Sequence, residues 1–217
     1  MGIERKEDED DRWKWGGENY SVKIAYQSLI EGEGEDPNWA GEVWSPLIPL
    51  RLSTLAWRLF QNRLPTKENL RRRGININSS IRCVGGCGEF ELEEHLFFNC
   101  PILSMAWKEI ARWLGISVAF AKGGYDHYLM FKGLISGGVK VMERLGILWL
   151  STVDAIWKAR NAMIFNNVDF NWVRVVEEIK VSSWKILKAR DKNFSCSLYE
   201  WNLNPLICMG MRGLTHV

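Results

Sequence analysis

Residues 81–101 read IRCVGGCGEFELEEHLFFNCP. Three residues separate Cys83 from Cys87, seven separate Cys87 from His95, and four separate His95 from Cys100, a C-x3-C-x7-H-x4-C pattern. Zinc takes four nitrogen or sulfur ligands in a tetrahedron. The Gly85-Gly86 pair allows a backbone tight enough to aim Cys83 and Cys87 at one point. His95 and Cys100 supply the other two corners. Four protein ligands leave no position for water, so one structural Zn2+ is expected rather than a catalytic one. The competing reading is three buried free thiols beside a surface histidine. Five residues of regular helix turn through about 500°. His95 and Cys100 therefore cannot share a face of such a helix, and the chain is expected to bend or end between Phe98 and Pro101.

On the N-terminal side, Leu52, Leu55, Ala56, Leu59 and Phe60 recur at helical spacing and Pro65 ends the run. Thr66 is placed to cap a second helix, Lys67 to Arg73, with Gly74 where a left-handed residue is needed. Further upstream, Trp39 to Trp44 reads as a short helical turn. Trp13 and Trp15 flank turn residues in a pattern that predicts a small β-hairpin, and Ser21 can cap a helix through Ile30. On the C-terminal side, Pro101 opens a helix carrying Leu103, Trp107, Ile110 and Leu114. Val139 to Phe165 places Met142, Leu145, Trp149, Val153 and Ile156 on one stripe, and Asp169 is placed to cap a helix to about Arg190. These two predict an antiparallel helix pair. The expected fold is thus mainly α with a small N-terminal β-hairpin, a zinc-stapled helical domain followed by a helical hairpin. The expected boundaries are an acidic arm at 1–12, the zinc-binding domain at 13–115, a linker at 116–138, the hairpin at 139–192 and an irregular tail at 193–217.

The chain has 217 residues, 47% hydrophobic and 25% charged, which excludes a wholly disordered or fibrous protein. Its charged beginning lacks the apolar core of a signal peptide, and its apolar runs are too short to span a bilayer. An intracellular chain with no membrane partner is expected. Residues 1–11 hold six acids and two bases, whereas Arg51 to Arg82 holds eight bases and one acid. A basic island therefore sits inside a nearly neutral protein. His127 and His216 are lone histidines, and Cys196 and Cys208 are spare thiols without partners for a second zinc site.

The order of signals resembles the zinc-binding domain of plant LINE-type (non-LTR) retrotransposon reverse transcriptases. The pieces that carry the resemblance are Trp15, Tyr20-Ser21-Val22-Lys23, Ala25-Tyr26, Trp44, Trp57-Arg58-Leu59, Leu64-Pro65-Thr66, Asn69-Leu70, Arg72-Arg73-Gly74, Cys83, Cys87, His95-Leu96-Phe97, Cys100 and Trp107. The later Trp157 to Phe165, WKARNAMIF, is similar to the segment C-terminal to this domain in such elements. A polymerase needs paired carboxylates for two metal ions. The Tyr-x-Asp-Asp turn of such enzymes is absent, and the one Asp-Asp, Asp10-Asp11, lies in the acidic arm. The resemblance therefore implies a non-catalytic fragment of the polyprotein, and a nuclear location.

Zinc knuckles recur among RNA-binding modules, guanidinium groups grip phosphates, and aromatic rings stack on unpaired bases. Arg58, Arg63, Lys67, Arg71, Arg72, Arg73 and Arg82 are the expected contacts to RNA or another single-stranded nucleic acid, with Trp44, Trp57 or Phe90 for stacking. The same bases also suit a solvated helix end, where they complement the helix dipole. A zinc-stabilised protein-interaction module, or a relic without nucleic-acid binding, is the alternative.

Overall fold

The computed structural model describes residues 14–15, 18–19, 39–77, 79–117 and 123–211. The chain divides into two units, Met1–Ala40 and Gly41–Val217. In the first, Lys14–Trp15 (β1) pairs antiparallel with Glu18–Asn19 (β2) in a two-residue ladder, with Lys14 opposite Asn19 and Trp15 opposite Glu18. A ladder this short gives the expected hairpin no independent support. The acidic arm and the Ser21 helix lie outside the described residues.

The second unit is helical. After a short turn at Ala40–Val43 (α1), helix α2 (Leu50–Phe60) buries Leu52, Leu55, Ala56 and Leu59. Helix α3 (Lys67–Arg72) begins where the Thr66 side chain accepts a hydrogen bond from the Asn69 backbone N–H at 3.3 Å, and it is followed by Gly74 in the left-handed region, φ +73°. Both caps fall where the sequence puts them. Helix α4 spans Met105–Trp113. It starts later than Pro101 suggests, because residues 101–104 form turns rather than helix.

Helix α6 (Val139–Phe165) matches its predicted range. Helix α7 (Trp172–Arg190) is capped by Asn171, whose side chain accepts from the Arg174 N–H at 3.1 Å, and not by Asp169. Arg144 near the start of α6 pairs with Asp191 at the end of α7, and Lys158 near the end of α6 pairs with Glu178 nearer the start of α7. The two helices therefore run antiparallel.

Two stretches differ from expectation. Within 116–138, expected to be a linker, lies helix α5 (Gly124–Gly133), which buries His127, Tyr128 and Phe131. Within the expected irregular tail lie α8 (Leu198–Leu203) and α9 (Pro205–Cys208), with Trp201 fully buried. In both stretches a few large apolar anchors, rather than long periodicity, decide the helix, so pattern reading passes over them.

The core is aromatic. Trp107 of α4, His127 of α5 and Trp149 of α6 converge with Phe98, with the His127 ring 4.5 Å from Trp107 and 4.6 Å from Phe98. The Trp149 Nε1–H donates to His127 Nδ1 at 2.9 Å. Burial pushes the His127 pKa down to about 4, so the ring is neutral and accepts this bond.

Candidate metal centre

The four sequence-predicted ligands meet. The ligand atoms of Cys83, Cys87, His95 and Cys100 all lie within 4.8 Å of one another. Cys83 Sγ and Cys100 Sγ are 3.8 Å apart, Cys100 Sγ and Cys87 Sγ 3.9 Å, and Cys87 Sγ and His95 Nε2 3.1 Å. Zinc–sulfur bonds of about 2.3 Å in a tetrahedron place sulfurs about 3.8 Å apart. The spacing thus fits one zinc ion at the common centre, with three sulfurs and one nitrogen as donors.

Local backbone chemistry builds this cluster. Arg82 and Phe90 pair as an antiparallel bridge, and Cys83 N–H donates to Glu89 O at 2.7 Å, closing a loop over residues 83–89. Gly86 and Gly88 adopt left-handed φ of +75° and +88°, which turns the chain back on itself. A Cβ on Gly85 would lie 3.2 Å from Cys100 Sγ and 3.6 Å from Cys83 Sγ, so a side chain there crowds the sulfurs. Two backbone N–H groups already point at sulfur, Gly85 to Cys83 at 3.4 Å and Leu103 to Cys100 at 3.5 Å. The thiol hydrogen bond from Cys83, followed by the backbone N–H groups of Leu103 and Ile102, holds the Cys100 pKa down to about 5. That donor set favours a thiolate, the form that ligates a metal.

His95 and Cys100 share the site by a route that regular helix geometry does not offer. Residues His95–Asn99 form a π-helical turn, and Cys100 N–H donates to His95 O at 2.6 Å, an i to i+5 bond. The wider turn brings a pair five apart onto one side. Cys100 itself is extended, φ −66° and ψ 121°, so the helix also ends where Pro101 suggests.

The segment between the ligands contains an inversion. In Phe90-Glu91-Leu92-Glu93 the apolar residues are exposed and the acids are buried. Glu91 Oε1 accepts from Lys67 N–H at 3.0 Å and from Arg160 Nε at 3.2 Å, and Oε2 accepts from Val84 N–H at 3.3 Å. Arg160, on α6, lies over the Trp157 ring at 4.8 Å. Glu93 accepts from Leu64 N–H at 2.6 Å and Asn69 Nδ2 at 2.8 Å, and burial pushes its pKa up to about 8. Sequence reading missed Glu91, Glu93 and Arg160. The available signals were a charged residue amid the apolar run of α6 and an acid at every second position beside the metal ligands.

The seven basic residues are dispersed in role. Arg58, Arg63, Arg72 and Arg73 line one open groove of about 750 Å3 with Trp57, Asn62 and Asn69. Arg71 and Arg72 also pair with Glu68 on their own helix, at 2.8 and 3.2 Å. Arg73 donates to Arg63 O at 2.8 Å, and Lys67 donates to Arg82 O at 2.9 Å. Arg82 donates to Gly88 O and lies over the Phe90 ring at 5.8 Å, away from that groove. Arg63 lies over Trp57 at 6.0 Å, while Trp44 is half exposed.

Residues 20–107 match the family model described as zinc-binding in reverse transcriptase. Over that stretch the chain is similar to the zinc-binding family of reverse transcriptases. A protein of Arabidopsis thaliana, provisionally named a ribonuclease H protein, is 27% identical to the chain over 103 residues, 45% of this chain. That match spans 16% of the relative's own length. No solved structure matches the chain significantly. The matched stretch includes α1 to α3 and the Cys/His cluster, and it ends at Trp107, inside α4. Its buried contacts run on into α6 through Arg160 and through Phe97, whose ring stacks on Trp157 at 6.1 Å. Among the described residues, no helix is long and apolar enough to cross a membrane.

Proposed function

We propose that the chain is a segment of a plant LINE-type retrotransposon protein that binds single-stranded RNA without catalysing a reaction, and that it acts inside the cell, in the nucleus. Zinc held by Cys83, Cys87, His95 and Cys100 is a staple in this reading. The observation that carries it is the groove between α2 and α3, where four arginines and Trp57 line one open surface. Guanidinium groups there can contact successive phosphates while an indole offers a face to an unpaired base. The name of the Arabidopsis relative supports an origin in a larger protein that handles RNA. Lys67, Arg71 and Arg82 contribute less, since none of them lines the groove, and the Glu68 carboxylate offsets part of the Arg72 charge.

The test is fluorescence anisotropy of zinc-loaded protein with a labelled single-stranded RNA across a salt series. Arg58, Arg63 and Arg73 replaced together by glutamine should weaken binding and flatten the salt dependence by about 2, the loss of three phosphate contacts. Arg71→Gln should change it little. Absence of binding at low salt, or an unchanged slope in the triple variant, assigns the arginines to a solvated surface and leaves the zinc domain as a protein-interaction module or a relic without nucleic-acid binding.

A further inference from the structure

A second hollow opens beside the arginine groove. Its volume is about 530 Å3, within the usual span of small-molecule sites, and it lies between α2, α6 and the Leu64-Pro65 turn. Arg58 and Pro65 line both, so the two surfaces are continuous. Their characters differ. Arginines dominate the groove, whereas Leu50, Leu55, Leu64, Pro65 and Trp157 give the hollow apolar walls. Arg51 and Arg58 both line the hollow and are seven residues apart on α2, so they share a face of that helix. The Arg51 guanidinium is held on Asp154 of α6. Nη1 donates to Oδ1, and Nη2 donates to Oδ2 at 2.7 Å, yet the Arg51 side chain stays exposed. A guanidinium carries five N–H donors. Two are spent on Asp154, and the edge that carries Nε–H stays open. The one carboxylate of the lining is already engaged, because Asp154 is buried and also pairs with Lys158 at 3.2 Å. The hollow thus presents a fixed donor fork between apolar walls.

We infer that this hollow is a guanine pocket of the same RNA surface. The inference rests on the RNA reading above: with a phosphate held at Arg58, the neighbouring base turns off the groove into the hollow. There the open edge of Arg51 donates to guanine O6 and N7, the two acceptors side by side on one edge of the base. Adenine carries an amino donor in the place of O6, so donor meets donor. Uracil offers a single acceptor on that edge. Asp154 acts as a positioning residue. It fixes the direction of the fork before RNA arrives, so little side-chain freedom is lost on binding. Its negative charge also offsets part of the Arg51 charge, which suits an uncharged base better than a phosphate.

The test uses the full zinc-loaded chain and fluorescence anisotropy with the labelled RNA pentamers UUUUU, UUGUU and UUAUU. The guanine pentamer should bind about tenfold tighter than the adenine one. Inosine at the central position keeps O6 and N7 and should bind as guanine does. A central 7-deazaguanine lacks N7 and should fall toward the adenine level. Arg51→Gln should abolish the preference for guanine over adenine. Arg51→Lys keeps a cation beside Asp154 but loses the planar fork, and it should abolish the preference as well. The preference is a ratio within each variant, so a change in overall affinity does not mimic its loss. Equal affinities for the three pentamers, with the salt dependence kept, overturn the guanine pocket and leave the RNA groove standing. A guanine preference that survives both Arg51 variants, or that inosine does not share, also overturns it. No binding of any pentamer at low salt overturns the RNA reading itself, and the pocket with it.

Discussion

Glu91 has no exposed surface, yet its carboxylate answers Lys67, Val84 and Arg160 from three different segments. Removing one partner leaves the other charge buried without compensation, which costs about 3–5 kcal/mol. Arg160→Met should therefore destabilise the protein by that order in urea unfolding. Glu91→Leu with Arg160→Met should recover part of the loss, because the pair is then absent from both sides. The neutral His127 at the core makes a second residue-scale prediction. Its folded pKa, near 4, lies below the ordinary histidine value of 6.5. The unfolded chain therefore binds the extra proton between those values. The contribution of His127 is complete above about pH 6.5 and is lost as pH falls toward 4, by roughly 3 kcal/mol at most. Urea unfolding at pH 7 and pH 4.5 should show a smaller loss for His127→Gln than for the natural chain. Equal losses would remove His127 from the account.

At the scale of elements, the metal centre depends on two backbone features, the Gly85-Gly86 turn and the π turn over His95–Asn99. The ligands were legible in the sequence because cysteine and histidine at such spacing have few other uses. The π turn was not, because an i to i+5 bond leaves no mark in a pattern of apolar residues. The sequence conflict between His95 and Cys100 pointed to a departure from regular helix, and the π turn is that departure. Gly85→Val places a branched side chain against the Cys100 and Cys83 sulfurs. It should weaken zinc affinity on the order of tenfold or more in competition with a chelating dye. Cys100→Ser should bind less than one zinc per chain and lose order around residues 83–100. An unchanged affinity for Gly85→Val would show that the turn gives way without moving the sulfurs.

For the second unit as a whole, the matched family region is smaller than the fold that supports it. Glu91 and Phe97 sit between metal ligands, yet their partners Arg160 and Trp157 lie on α6. Trp113 of α4 donates to Asn202 O at 2.8 Å and meets Trp201 edge-on at 5.2 Å, which joins the C-terminal helices to the same body. A fragment of residues 39–117 should therefore lack a cooperative thermal transition even with zinc bound, while 39–217 shows one. Calorimetry of the two decides it, and a cooperative 39–117 would show that the zinc and its adjoining helices suffice.

Taken alone, the sequence determined what rests on local chemistry: the four metal ligands, the Thr66 cap, the Gly74 stop, the range of α6 and the mainly helical character. Each comes from residue types a few positions apart, whose preferences do not depend on distant chain. Tertiary structure alone decided the burial of Glu91 and Glu93 and the helices hidden in the supposed linker and tail. It also decided which arginines share a groove, and that one of them, Arg72, is held by Glu68 as well. A buried charge is stable only where a distant residue supplies its partner, and that distance does not appear in the pattern of neighbours.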